Sequence, residues 1–345
     1  MHLALRSTSS SLFFFVALLA ACGGGGSDGG SSGSVTIPTG VRTGTASAGA
    51  DVSAGNYAAL SGQAIQTLLN TVGDGGTLSS TLEADRAHAA ALSARRSRFD
   101  IAALARRALA FSGQRFAAAT RKQALATQSE TFQCGVSGTL TATVNDADGN
   151  NEPSSGDTVT FAFANCVDVS GDPALNGQFA LSFVALVLDA QKDPTAIEAA
   201  VTATALSVQG LGSLNGSAHL WATGLTSSTE HSRVSYQNMT SSVGGVVATL
   251  NFDVDETATA TTATDRINGA VLIGGQTYVL VQSVAFDSAA AEPTTGRLRI
   301  VDVQGDRVDV VARGTLVDRE FYVSTNAGTT PDASIIGTPW STFHP

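Results

Sequence analysis

The chain has 345 residues, only 14% of which are charged, and its formal net charge is −10. This length is ample for a sizeable core, and the acidic balance argues against a nucleic acid as partner. Ala, Gly, Ser, Thr and Val dominate the composition, which favours strands and turns over a coiled coil.

The first residues have the organisation of an export signal. A short start that carries Arg6 precedes an uncharged apolar run over residues 12–20. This run is too short to cross a bilayer, and small residues follow it at the expected cleavage point. We therefore predict that residues 1–21 are a signal peptide.

The tetrapeptide Leu19-Ala20-Ala21-Cys22 resembles the lipobox of bacterial lipoproteins. The resemblance implies that the thiol of Cys22 carries a diacylglycerol, that the leader is cleaved before it, and that the new amino group is acylated. Two or more acyl chains on one residue give an effectively permanent membrane anchor. In Gram-negative lipoproteins an aspartate after the cysteine retains the protein in the inner membrane. Gly23 stands there instead, which implies the outer membrane, on its periplasmic side or at the cell surface. The alternative is an ordinary secretory leader with an incidental cysteine.

Two different compositions follow the leader. Residues 22–55 are rich in Gly and Ser and predict a flexible tether. Residues 56–130 contain nine of the 19 basic residues and read as helical, with one helix expected over 56–72. A second helix is indicated by the capping-box pattern at 80–83 and by an apolar stripe between Ile101 and Phe111. Three interpretations of the arginines stay open: a solvated helix face, contact with anionic lipid headgroups, or contact with the acidic remainder of the chain.

From residue 131 to residue 345 the apolar period becomes two. Residues 178–187 and 246–255 alternate between apolar and polar side chains, which predicts half-buried antiparallel strands. Asn-Gly pairs at 176–177, 215–216 and 268–269 form a faint repeat, typical of either propeller blades or neighbouring hairpins. Because no blade signature accompanies it, we expect a mainly β fold: one large, curved, antiparallel hairpin meander with a small N-terminal helical segment.

Cys134 and Cys166 are the two cysteines that remain after Cys22. They lie at the outer ends of one expected hairpin, and in an oxidising envelope such an isolated pair predicts a disulfide. Two free thiols are the alternative.

The connection of this hairpin, residues 146–157, is rich in oxygen-bearing side chains. Its spacing resembles the calcium loops of dockerin-type and EF-hand-type modules, although Asn151 replaces the usual glycine and the last acid is an aspartate. A calcium site and a purely polar turn both remain open, and no other cofactor is indicated. The candidate ligands are Asp146, Asp148, Asn150, Glu152 and Asp157.

No catalytic motif is evident, so we expect a protein that is not an enzyme. The paired acids Asp253 and Asp255 share one strand face, as do His219 and Trp221, but such faces are more often solvated than catalytic. From Cys134 to Trp340 the pattern is similar to a group of uncharacterised proteobacterial lipoproteins, which implies no activity. We expect a structural or binding module at the outer membrane whose protein or lipophilic ligand the sequence does not identify. The alternatives are a periplasmic carrier of a lipophilic ligand and a hydrolase without a recognisable motif.

Overall fold

One antiparallel sheet of 14 strands dominates the fold. The computed structural model describes residues 34–72 and 127–343, apart from short gaps at 151, 168–169, 171–172, 211, 260, 289–292 and 326–329. The strands follow one another in sequence order, so each hydrogen-bonds only to its neighbours along the chain. Their bounds are β1 (Thr127–Gln133), β2 (Ser137–Asn145), β3 (Thr158–Val167), β4 (Leu175–Leu188), β5 (Pro194–Val208), β6 (Gly212–Thr223), β7 (Thr229–Val243), β8 (Val246–Thr259), β9 (Ala263–Ile273), β10 (Gln276–Ser288), β11 (Thr295–Val301), β12 (Arg307–Arg313), β13 (Leu316–Tyr322) and β14 (Ala333–Pro339).

The sheet confirms the predicted hairpin meander. It begins at Thr127, four residues before the predicted boundary, and both alternating segments lie in strands, β4 and β8. The propeller interpretation is wrong, because all described strands belong to a single sheet.

The two faces of the sheet differ in polarity because side chains alternate along each strand. We call the face that carries Phe179, Leu181 and Phe183 of β4 the core face; each of these side chains is at most 2% exposed. Cross-strand pairing continues the core face through Val201 of β5 and Leu220 of β6. The opposite face, called the outer face, carries most of the charged side chains.

Helix α1 (Tyr57–Val72) packs on the core face, and its start agrees with the prediction to within one residue. Leu60, Ala64 and Leu68 recur every four residues and are buried, which gives the helix one apolar side. It contacts β7, β8, β9, β12, β13 and the 3₁₀ turn Trp340–Phe343. Among the described residues, no helix is long and apolar enough to cross a membrane.

Residues 34–56, called the N-terminal segment, differ from the predicted tether because they pack on the sheet. Gly44 lies so close to β9 that an added Cβ would be 2.2 Å from the carbonyl oxygen of Gly269. Ser47 bonds the backbone of β10 at Thr277, its N–H donating to the carbonyl oxygen at 3.0 Å. Val52 is fully buried, and its N–H donates to the Asp302 carboxylate at 2.8 Å. Only residues 22–33 therefore remain as a candidate tether, and they lie outside the described residues.

The Asn-Gly repeats hold bulges in place. The side-chain oxygen of Asn176 in β4 accepts the backbone N–H of Asn165 in β3 at 2.8 Å. Asn215 in β6 does the same for Ala205 in β5 at 3.1 Å. Both acceptors serve residues at positive φ, where the register shifts. The repeat thus marks successive bulges, which bend strands and increase their twist.

The glycine of each pair makes room for the neighbouring bulge. Gly177 faces Ala205 so closely that a Cβ would lie 2.2 Å from the Ala205 carbonyl oxygen. Gly216 meets the backbone of Met239 in β7 in the same way, at 2.9 Å. Together the bulges form a row across the sheet from β3 to β7, called the bulge row.

Candidate functional site

The disulfide closes the hairpin that carries the predicted loop. Cys134 and Cys166 are bonded, with Cα atoms 5.5 Å apart, which confirms the predicted pair. Their hairpin is β2 and β3, which pair antiparallel from Ser137 to Asn145. The covalent link holds the open ends of the two strands, and the acidic loop lies at the opposite end.

Three carboxylates converge in this loop. Asp146, Asp148 and Asp157 each place an oxygen within 4.8 Å of the other two. Asp146 and Asp157 are buried, whereas Asp148 is exposed. The arrangement is therefore an oxygen cluster that opens to solvent on the side of Asp148, and hard cations such as calcium prefer this kind of ligand.

Hydrogen bonds within the loop fix these carboxylates. One oxygen of Asp157 accepts the backbone N–H of Ala147 at 2.8 Å, and the other accepts that of Ser154 at 2.7 Å. Asp146 accepts the N–H of Gly149 at 2.8 Å. Because each carboxylate oxygen has two lone pairs, these bonds leave room for a further contact.

Burial makes the negative charge of Asp157 unfavourable. Desolvation raises the pKa of this carboxyl above its ordinary value of 3.8, and the neighbouring charge of Asp146 raises it further. The hydrogen bonds from Ala147 and Ser154 oppose that rise without cancelling it. A cation beside the three carboxylates would offset both unfavourable contributions.

The structure does not bring Glu152 into the three-carboxylate cluster. Its carboxylate is paired with the ammonium group of Lys192 at 2.9 Å, and both side chains are more than half exposed. Asn150 stays in the loop, where its amide nitrogen donates to Asp148 at 2.8 Å and its oxygen accepts the N–H of Glu152. Three of the five predicted ligands therefore form one cluster.

The acids Asp253 and Asp255 of β8 share one face, as predicted, and both are paired with Arg233 of β7. One guanidinium nitrogen of Arg233 donates to Asp253, and its Nε lies 3.5 Å from Asp255. Arg42 of the N-terminal segment pairs with Asp253 at 3.2 Å. Arg233 also donates to the backbone oxygens of Pro38 and Gly40. These acids therefore fasten the N-terminal segment to the outer face.

His219 and Trp221 share one face of β6, as predicted, and their rings stack with centroids 4.1 Å apart. The Nε2 atom of His219 lies 3.0 Å from the carboxylate of Glu198 in β5. The pair and the acid are partly buried on the outer face. Cross-strand stacking and an ion pair of this kind stabilise adjacent strands.

A charge cluster on β11, β12 and β13 was missed by the sequence reasoning. The carboxylate of Asp309 is fully buried and has three arginines around it. The available signal was the alternation Arg297-Leu298-Arg299 beside Arg307-Val308-Asp309, which places every charge on one strand face.

Cys22, the predicted second helix and the arginines between residues 73 and 126 lie outside the described residues. Comparison of the chain with protein-family models, with curated proteins and with solved structures gave no match. The function is therefore argued from the residues themselves.

Proposed function

We propose that this protein is a lipid-anchored component of the cell envelope, a non-enzymatic structural or binding module at the outer membrane. The observation that carries the proposal is the sequence Leu19-Ala20-Ala21-Cys22 at the end of a short apolar run. The Cys134–Cys166 disulfide supports it, because such bonds persist in oxidising compartments such as the envelope.

The chemistry of the described charged groups supports a non-enzymatic role. Asp253 and Asp255 fasten the N-terminal segment through Arg233, and Asp309 joins β12 to the neighbouring strand β11. Glu198 is paired with His219 across two strands. These charged groups are engaged in ion pairs within the fold. A catalytic group, in contrast, must remain available to a substrate.

The N-terminal segment supports the anchor. Arg233 holds the chain at Pro38 and Gly40, so the sheet is fastened a short distance after Cys22. Pro38 follows Cys22 by 16 positions, and a fully extended chain of that length reaches about 55 Å. An acyl group on Cys22 would thus keep the sheet near the membrane surface.

Substitution at the lipobox tests the proposal. We expect Cys22→Ser to abolish labelling of the protein by radioactive palmitate and to move it from the membrane to the soluble fraction. Gly23→Asp, which keeps the cysteine, should retain labelling and shift the protein to the inner membrane. Formation of the Cys134–Cys166 bond serves as the folding control for both variants. Unchanged outer-membrane association of Cys22→Ser would refute the anchor.

A second candidate function is a carrier of a lipophilic ligand. The observation that favours it is the continuous apolar core face, on which α1 covers β7, β8 and β9. Displacement of a helix from such a face would expose apolar surface to a ligand. Organic extraction of the protein purified from envelopes, followed by mass spectrometry, tests this function. Stoichiometric acyl lipid other than the Cys22 anchor is expected of a carrier, and its absence from the protein excludes this candidate.

A further inference from the structure

Three arginines and two valines lie together on the outer face of β10, β11 and β12. We call this group, Arg297, Arg299, Arg307, Val281 and Val284, the arginine patch. Strand pairing places Arg299 between Val281 of β10 and Asp309 of β12, and it places Arg297 opposite Val284. Neighbouring positions on the same strands, such as Leu298, point to the core face and are buried.

The guanidinium groups converge on one buried acid. The Nε of Arg299 lies 3.2 Å and that of Arg307 3.5 Å from one oxygen of Asp309. Nη1 of Arg297 lies 3.2 Å from the other oxygen. Asp309 is fully buried, so the acid lies beneath the arginines and the arginines form the surface.

The cluster keeps a positive excess. Glu320 is its second acid; its carboxylate lies 3.7 Å from Arg297 and accepts a hydrogen bond from Tyr322 at 2.8 Å. Three arginines therefore face two acids, on a chain whose net charge is −10. The sign of the local charge is thus opposite to that of the whole protein, and a partner that selects this surface by charge must be anionic.

The outward ends of two arginines are available to such a partner. Arg299 and Arg307 use Nε to contact Asp309, and Arg307 also stacks on Tyr322. Within the described part of the chain, their terminal Nη atoms donate no hydrogen bond, and the Arg299 side chain is 36% exposed. Guanidinium groups bind phosphate oxygens through two parallel hydrogen bonds.

Exposed valines lie opposite two of the arginines in the strand pairing, Val281 opposite Arg299 and Val284 opposite Arg297. Val281 is 41% and Val284 56% exposed, although both occupy a strand within the sheet. Apolar side chains next to arginines match the boundary between headgroups and acyl chains of a bilayer, where charged groups meet phosphate and apolar groups leave water.

We infer that the arginine patch docks the sheet on an anionic phospholipid surface. The inference rests on the proposed function in one respect, the proximity of a membrane. The N-terminal segment enters the sheet on the same face, because Arg233 binds Pro38 and Gly40 from the outer side of β7. A chain that runs from the anchor to Pro38 would therefore reach the sheet on the face that carries the arginine patch.

Vesicle binding tests the inference without the acyl anchor. The chain from residue 22 to residue 345, carrying Cys22→Ser, is titrated with vesicles of phosphatidylcholine alone and with vesicles containing 30% phosphatidylglycerol. We expect binding only to the anionic vesicles, weakening as salt is raised. Arg299→Gln should weaken it about fivefold, and Arg299→Gln with Arg307→Gln about 25-fold, from the usual contribution of one cation at such a surface.

Two further variants test whether the position of the lost charge matters and whether the exposed valines contribute to binding. Lys192→Gln removes one positive charge at the distant turn between β4 and β5, and it should leave vesicle binding unchanged. Val281→Ser with Val284→Ser keeps all three arginines and should also weaken binding. The unfolding midpoint of each variant shows whether the sheet is intact.

The rival occupant is an acidic protein, for which polyglutamate in solution is the probe. Binding of polyglutamate without binding of anionic vesicles overturns the inference, as does equal binding of wild type and the double arginine variant. These outcomes leave the anchor untouched, since they use the Cys22→Ser chain. Conversely, a failed palmitate labelling experiment leaves the vesicle result standing.

Discussion

Replacement of Gly177 by alanine tests the physical account of the bulge row. A Cβ at this position would lie 2.2 Å from the carbonyl oxygen of Ala205 and 2.7 Å from the Cα of Leu206. Both are backbone atoms of β5, so they can move only if that strand moves. Gly177 also has a φ of 94°, where a side chain costs about 1–2 kcal/mol. Forced displacement of packed neighbours costs about 1–3 kcal/mol more, so the free energy of unfolding should fall by about 2–5 kcal/mol.

Gly210→Ala is the matched control for this prediction. Gly210 has a φ of 75°, but no heavy atom lies within 4 Å of an added Cβ. The substitution therefore carries the backbone cost alone, about 1–2 kcal/mol. Urea unfolding followed by circular dichroism measures both variants under the same conditions. If both lose the same free energy, contact with β5 does not constrain Gly177 and the account of the bulge row is refuted.

Three further predictions concern the disulfide, the acidic loop and the outer-face charges. Reduction of Cys134–Cys166, whose sequence separation is 32, should lower the free energy of unfolding by about 3–4 kcal/mol on the chain-entropy model; native protein that reacts fully with an alkylating agent before reduction contradicts the bond. If the loop binds calcium, millimolar calcium should raise the thermal midpoint of the wild type and have a smaller effect on Asp148→Asn; an indifferent wild type would identify a polar turn. Burial raises the pKa of Asp255 above 3.8, so the folded state binds the proton more tightly and this group adds stability as pH falls through the raised value towards 3.8. Between pH 6 and pH 4, the thermal unfolding midpoint of the wild type should therefore rise relative to that of Asp255→Asn. A difference between the two midpoints that does not change with pH would contradict this prediction.

The period of the apolar residues predicted the strands because it reflects which side chains of each strand are buried. The alternation over 178–187 and 246–255 matches strands whose inward side chains, such as Phe179 and Leu250, are fully buried. Each strand pairs with the next one along the chain, so local pattern and turn residues were sufficient to order the sheet. Helix α1 was predicted over 56–72, and the structure shows the four-residue apolar spacing of Leu60, Ala64 and Leu68 on its buried side.

The N-terminal segment could not be predicted from composition because its contacts are remote. Arg42 bonds Ser235 and Asp253, which follow it by 193 and 211 positions. A stretch rich in small residues is typical of a tether when nothing holds it. Here, small residues also allow close approach, as Gly44 shows against β9. Composition alone does not distinguish these two uses of glycine.

Loop spacing predicted the acidic cluster in part. Asp146, Asp148 and Asp157 converge because they belong to one tight connection between paired strands. Glu152 is drawn away by Lys192, which follows it by 40 positions. A pattern read within twelve residues cannot include that competitor. The arginine patch was missed although the alternation of Arg297 and Arg299 beside Arg307 and Asp309 predicted one charged strand face. The exposed valines beside these arginines became evident only from the pairing with β10.

The contacts of the N-terminal segment decide where a force applied through it would enter the sheet. A strand in this meander pairs only with its neighbours, so force applied at the edge strand β1 or β14 would break one pairing at a time. Force arriving through Pro38 instead meets Arg233 in β7, in the middle of the sheet, where Asp253 and Arg42 share the load. Beyond that point Ser47 is bonded to β10 and Val52 is buried in the core. Several contacts must therefore break together before a strand is exposed to tension.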